Sequence, residues 1–169
     1  LNIKLEKEYR SMREVYQNIY LEELSLPNSP LKYLNFYIIK TPDKNMLIDT
    51  GFNREDTKQE LRRIFNDLNL KPEKTIIFLT HLHSDHTGLA SFLEQMGVTV
   101  YASPMDGNLL NNSIHKSDSM WQATIQKGIW QGLEEDKLDI EDHPGYRFRP
   151  TAPINFTPAL PGEYIQIGH

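Results

Sequence analysis

The chain has 169 residues, with 18 Lys and Arg against 23 Asp and Glu for a formal net charge of −5, and no Cys. Its length and mix of apolar and charged residues suit a globular domain with a sizeable core and exclude disordered and fibrous classes. Without Cys there is neither disulfide nor thiolate ligation, so any metal must be held by imidazole and carboxylate.

In chain order, Tyr33–Lys40 is rich in aromatic and β-branched residues, residues 41–45 supply turn chemistry, and residues 46–49 (Met-Leu-Ile-Asp) resume extended structure, which predicts a β-hairpin. After Asp49-Thr50-Gly51, Asn53 is expected to cap a helix whose apolar positions Leu61, Ile64, Phe65 and Leu68 keep helical spacing; residues 70–72 (Leu-Lys-Pro) close it. Residues 75–80 (Thr-Ile-Ile-Phe-Leu-Thr) form the nearly continuous apolar run of a strand buried on both faces. Residues 87–96 read as a helix, Gly97 as its C-cap, and residues 98–102 as a further strand. Strand and helix alternate here, which predicts an α/β layered fold.

Beyond Ser103 the pattern weakens. Residues 120–130 predict an amphipathic helix with large apolar residues on one side, the prolines between Asp142 and Pro161 an irregular connection or flap, and residues 163–167 (Glu-Tyr-Ile-Gln-Ile) a final strand. The chain is read as one partial domain over residues 1–169, with residues 104–161 an insertion or lid. Starting at Leu1 and stopping at His169, it is expected to be cut at both ends. No apolar run reaches bilayer-spanning length and no signal peptide is evident, so the cytoplasm is the default address and no membrane partner is expected. Lys and Arg are scattered, which points away from nucleic acid and toward a small, neutral or weakly charged substrate. A homo-oligomer stays open.

The feature that carries chemistry is His81-Leu82-His83-Ser84-Asp85-His86, at the end of the 75–80 run. Side chains two apart in extended backbone point the same way, so His81 and His83 can reach one metal. Asp85 and His86, at the turn into the following helix, can face a second position with one oxygen and one nitrogen. Two metals suit this arrangement: Zn²⁺ first, with Fe and Mn as competitors. Such ions bring water to a pKa of about 7 and polarise a carbonyl or phosphoryl oxygen, the chemistry of metal-assisted hydrolysis. Ligands in α/β folds gather at the carboxyl ends of strands, where this motif sits.

With these residues the chain resembles the metallo-β-lactamase-fold superfamily, whose His-x-His-x-Asp-His hallmark is matched by His81, His83, Asp85 and His86, followed by Thr87-Gly88-Leu89. Leu47-Ile48-Asp49-Thr50-Gly51 and Thr80 resemble further elements of that family, and the likeness spans roughly residues 33–103. It implies an αββα sandwich, of which the chain would hold the N-terminal half plus part of an insertion. It also implies that Asp85 orients the attacking water and that Asp49 is a buried carboxylate behind the ligands. A later His, a bridging Asp and a final His of the family pattern are not matched here. His169 is tempting as a third ligand, but it follows a segment resembling the strand before the family's later Pro-Gly-His.

The implied function is a dinuclear hydrolase in which a metal-bound hydroxide attacks a carbonyl ester, lactone, thioester or amide, in the style of lactonases and glyoxalase II-type thioesterases. The alternatives are a phosphodiesterase or nuclease, an iron redox enzyme of the same fold, and a non-catalytic metal-binding module. The fragment alone is expected to bind metal weakly and hydrolyse little. His115 and His143 read as surface or turn residues at the edge of a substrate mouth, and Trp121, Trp130 and Phe148 as core or lid packing.

Overall fold

A computed structural model describes residues 12–168, so His169 lies outside the described residues. Seven strands form one sheet in sequence order: β1 (Arg13–Tyr16), β2 (Ile19–Ser25), β3 (Tyr33–Lys40), β4 (Asn45–Ile48), β5 (Thr75–Phe78), β6 (Thr99–Ala102) and β7 (Phe156–Pro158). Strands β1 to β4 run antiparallel to their neighbours, whereas β4 to β7 run parallel. The change of sense has a plain cause. Tight turns join the first four strands, and longer crossovers carrying helices join the rest.

Those crossovers hold α1 (Glu55–Asp67), α2 (Ser84–Thr87), α3 (Ala90–Gln95), α4 (Pro104–Asn112), α5 (Ser119–Trp130) and α6 (Pro144–Arg147). In β3 the alternation of apolar and polar residues puts Leu34, Phe36 and Ile38 on one face, in register with Leu24 on β2 and Leu47 on β4, and on through Ile77 to Val100. Leu61, Ile64 and Phe65 of α1, Leu93 of α3 and Leu110 of α4 join the same buried cluster. Glu22 is buried on this face too, where Arg63 of α1 pairs with it at 2.6 Å and prevents a bare charge in the core. The opposite face leaves Tyr33 and Tyr37 exposed and Met46, Ile48, Phe78 and Tyr101 half-buried.

The α/β expectation therefore holds, and the described residues supply one sheet of the expected sandwich with its helical layer. Several local expectations change. Arg54, without a side-chain cap, starts α1, because the Asn53 amide is committed to the carbonyl of Arg149 at 3.0 Å. The expected helix over residues 87–96 is two short helices broken at residues 88 and 89. Gly97 does end α3, at φ 103°. Residues 163–167 are not a strand; the last strand is β7, which pairs with β6. Residues 13–25, unassigned from sequence, form the first two strands. Among the described residues no helix is long and apolar enough to cross a membrane.

Candidate metal centre

Parallel pairing aligns the carboxyl ends of β4 and β5, with Ile48 opposite Phe78. The next residues, Asp49 on one side and Thr80 and His81 on the other, must then emerge side by side. Asp49 adopts φ 66°, a backbone conformation that few non-glycine residues tolerate, and its carboxylate is buried at 4% exposure. It accepts from the Thr80 amide and the Thr80 hydroxyl, each at 2.9 Å, and from His86 Nδ1–H at 2.7 Å. One carboxylate thus gathers the strand end and the helix turn.

The hydrogen bonds also set the imidazoles. Because the Thr80 hydroxyl proton goes to Asp49, its oxygen is left to accept from His81 Nδ1–H at 3.0 Å, and His81 Nε2 points inward to His83 Nδ1 at 3.1 Å. Asp49 holds His86 by Nδ1, so its Nε2 faces Asp85 Oδ2 at 3.4 Å. His81 lies 4.7 Å from His83 and 4.1 Å from His86 between ring centroids. Thr50, fully buried behind the turn, donates to the His86 carbonyl and accepts from the Leu89 amide, both at 3.0 Å. Thr87 donates to the His83 carbonyl at 3.0 Å.

Electrostatics follow from these contacts. Burial opposes charge on His86, yet the carboxylates of Asp49 and Asp85 outweigh it and hold the imidazole up to about 9. His81 is pushed down, by desolvation first and then by the neighbouring His86 and His83, while the His86 hydrogen bond holds Asp85 below the ordinary carboxylate range. A site that keeps a proton so strongly between two carboxylates favours positive charge. His81 Nε2, His83, Asp85 and His86 Nε2 converge as nitrogen and oxygen donors, a set that fits divalent cations of the zinc kind. Among the described residues no three such side chains are already posed around a single ion. His81 instead faces His83, and His86 faces Asp85, so the four donors form two pairs.

Beside the motif lies a cavity of about 550 Å³, with Leu82, His83 and Asp85 on one wall and Trp121, His143 and Phe148 on another. Helix α6 is docked directly on α2. Ser84 Oγ donates to the Pro144 carbonyl at 3.2 Å, and a Cβ on Gly88 would fall 2.5 Å from both the Phe148 carbonyl and the Asn53 amide. His143 lines the cavity, whereas His115 is exposed and stands outside its lining. Trp121 is buried, Phe148 stacks on Phe52 at 4.4 Å, and Trp130 is 80% exposed, so the packing role expected for Trp130 is not met. Thr80 as a relay and Thr50 as a brace were not assigned roles from sequence. A hydroxyl residue at a strand end directly before a ligand-type His was the available signal.

An α/β sheet carrying a His-x-His-x-Asp-His loop at its parallel strand ends defines a class of metal-binding folds, and the comparisons fix the family. The profile of the metallo-beta-lactamase superfamily matches residues 31–159, and the chain belongs to that superfamily. Its members are typically metal-dependent hydrolases. Among solved structures, a metallo-beta-lactamase family protein from Thermus thermophilus matches with a TM-score of 0.70 and 24% identity, over 88% of this chain and 48% of that one. A beta-lactamase domain protein from Burkholderia ambifaria matches with a TM-score of 0.65 and 18% identity, over 93% and 46%. MEM-A1, a subclass B3 metallo-beta-lactamase from a soil metagenome library, gives 0.52 and 24%, over 64% and 38%. The chain spans about half the length of the first two structures or less. No curated protein matches it.

Proposed function

We propose that the chain forms the metal-binding half of a dinuclear metal-dependent hydrolase that cleaves a carbonyl ester, lactone, thioester or amide. The observation that carries this reading is the convergence of His81, His83, Asp85 and His86 at the ends of β4 and β5, with Asp49 and Thr80 fixing which nitrogens face inward. Two divalent ions, zinc ahead of iron or manganese, would be held by His81 and His83 and by Asp85 and His86. Bound there, such ions supply Lewis acidity that acidifies water and polarises a carbonyl oxygen.

The chain's own residues do the rest. Asp49 accepts from His86 Nδ1 and, through Thr80, fixes His81, so each imidazole offers Nε2 to the site without reorientation. Asp85, which stays ionised beside His86, would orient a water by accepting a hydrogen bond from it. The segment of residues 104–161 acts as a lid that shields the cavity from bulk solvent. A hydrolysis screen of esters, lactones, thioesters and amides on the metal-loaded whole protein tests this, comparing wild type with Asp85→Ala and His86→Ala. Turnover lost in both variants is expected; undiminished turnover in both contradicts the reading.

A further inference from the structure

The cavity beside the motif has an uneven lining. One side is apolar and aromatic, with Phe52 stacked on Phe148 and with Met120 and Trp121 beyond them. The charged groups in its lining are few. Asp85 is engaged by His86, and His83 by His81. Desolvation keeps His143 below the ordinary imidazole range, and its Nδ1 accepts from the Gly145 amide at 3.1 Å. Arg149 is spent on the carbonyls of Ile114 and Tyr146 and lies over the Tyr146 ring at 3.6 Å. Asp142 also lines the cavity and, among the described residues, forms no ion pair with Arg147 or Arg149.

Arg147 differs from all of these. It is the last residue of α6, it lines the cavity, and among the described residues its guanidinium has neither a hydrogen bond nor an ion pair and lies 5.8 Å from the Phe148 ring centre. Other arginines are committed: Arg54 forks onto Asp56 at 2.9 and 3.0 Å, and Arg63 onto Glu22, Glu60 and Asp67. A planar fork left free at the rim of an aromatic cavity matches a carboxylate, which it can bind through two parallel hydrogen bonds. The volume lies inside the range of roughly 300–1,000 Å³ typical of small-molecule sites.

We infer that this cavity is a substrate subsite of the proposed hydrolase and selects small substrates with an apolar or aromatic body and a carboxylate, the carboxylate held by Arg147. The inference rests on the hydrolase reading for what happens at the metal loop, but the binding preference stands on the cavity alone. Phe52, Phe148 and Trp121 enclose the body of the ligand. Arg147 holds the carboxylate, and His83 and Asp85 line the same cavity.

Because Trp121 lines the cavity, its fluorescence reports occupancy once the exposed Trp130 is replaced by Phe. The probes are 4-phenylbutyrate and 4-phenylbutanol, titrated into the Trp130→Phe chain with zinc supplied and again after chelation. The butyrate is expected to bind about tenfold or more tightly than the alcohol. Arg147→Met should erase that preference without changing affinity for the alcohol, and Arg147→Lys should keep only part of it. Equal binding of both probes to the Arg147 chain overturns the inference. So does a preference that survives Arg147→Met and disappears on chelation, since metal would then be holding the carboxylate. If Arg147 governs the preference while the hydrolysis screen shows no turnover, the hydrolase reading fails and the carboxylate-binding role of the cavity stands without it.

Discussion

The motif loop and the helical segment between β6 and β7 face each other across one cavity, yet they are built on opposite terms. Around the loop two of the positioning groups are buried: Asp49 is 4% exposed, Thr50 is not exposed at all, and their hydrogen bonds tie strand ends to a helix turn. In the segment, α5 buries Trp121 alone, α6 buries nothing, and Trp130 is left in solvent. Sheet register fixes the first region, while local contacts and a few carbonyl bonds hold the second. Groups that must keep a geometry belong on the first kind of structure and groups that choose a ligand on the second.

The sharpest way to separate the two is to empty the segment's largest buried side chain. Trp121→Ala removes the indole and its hydrogen bond to the Ser113 carbonyl at 2.7 Å, which should cost about 3–5 kcal/mol locally. Hydrogen exchange should rise across residues 104–150 and stay unchanged across residues 75–102. Equal loss of protection in both regions would show that they form one cooperative unit.

Gly88→Ala acts on the joint between them. Its Cβ would meet backbone at 2.5 Å from Asn53 and Phe148, atoms that cannot step aside as a flexible side chain can, at a cost of about 1–3 kcal/mol or more. Limited proteolysis should then cut within residues 104–150 faster than in wild type, with the sheet resistant. Asp49→Asn should do the reverse. Metal affinity falls about 10- to 100-fold as His86 and Thr80 lose their shared acceptor, while protection in the segment persists. At the small end, Trp130→Ser should shift thermal stability by no more than about 0.5 kcal/mol, since that ring covers no core.

The same contrast explains how much was legible in the sequence. Tyr33–Lys40 alternates with the period of a half-buried strand, and the apolar run at β5 marks a central parallel strand, so the sheet around the motif could be read directly. The six-residue motif offered its candidate donors directly because their spacing is local. The Asp49 to Thr80 to His81 relay depends on two strands 31 residues apart meeting in parallel, which no local pattern encodes. The helix cap at Asn53 failed for a similar reason, as a long-range partner at Arg149 competes for the amide. Strand β7 is only three residues long and lies between prolines and turns, where periodicity carries almost no signal.

The central claim is that His81, His83, Asp85 and His86 together hold divalent metal. An equilibrium zinc titration against a chromophoric competitor, run on wild type, on the four single alanine variants of these residues and on His115→Ala, tests it most directly. The account predicts that each of the four binds zinc at least about tenfold more weakly than wild type and that His115→Ala binds as wild type does. Wild-type affinity and stoichiometry in all four variants would contradict it.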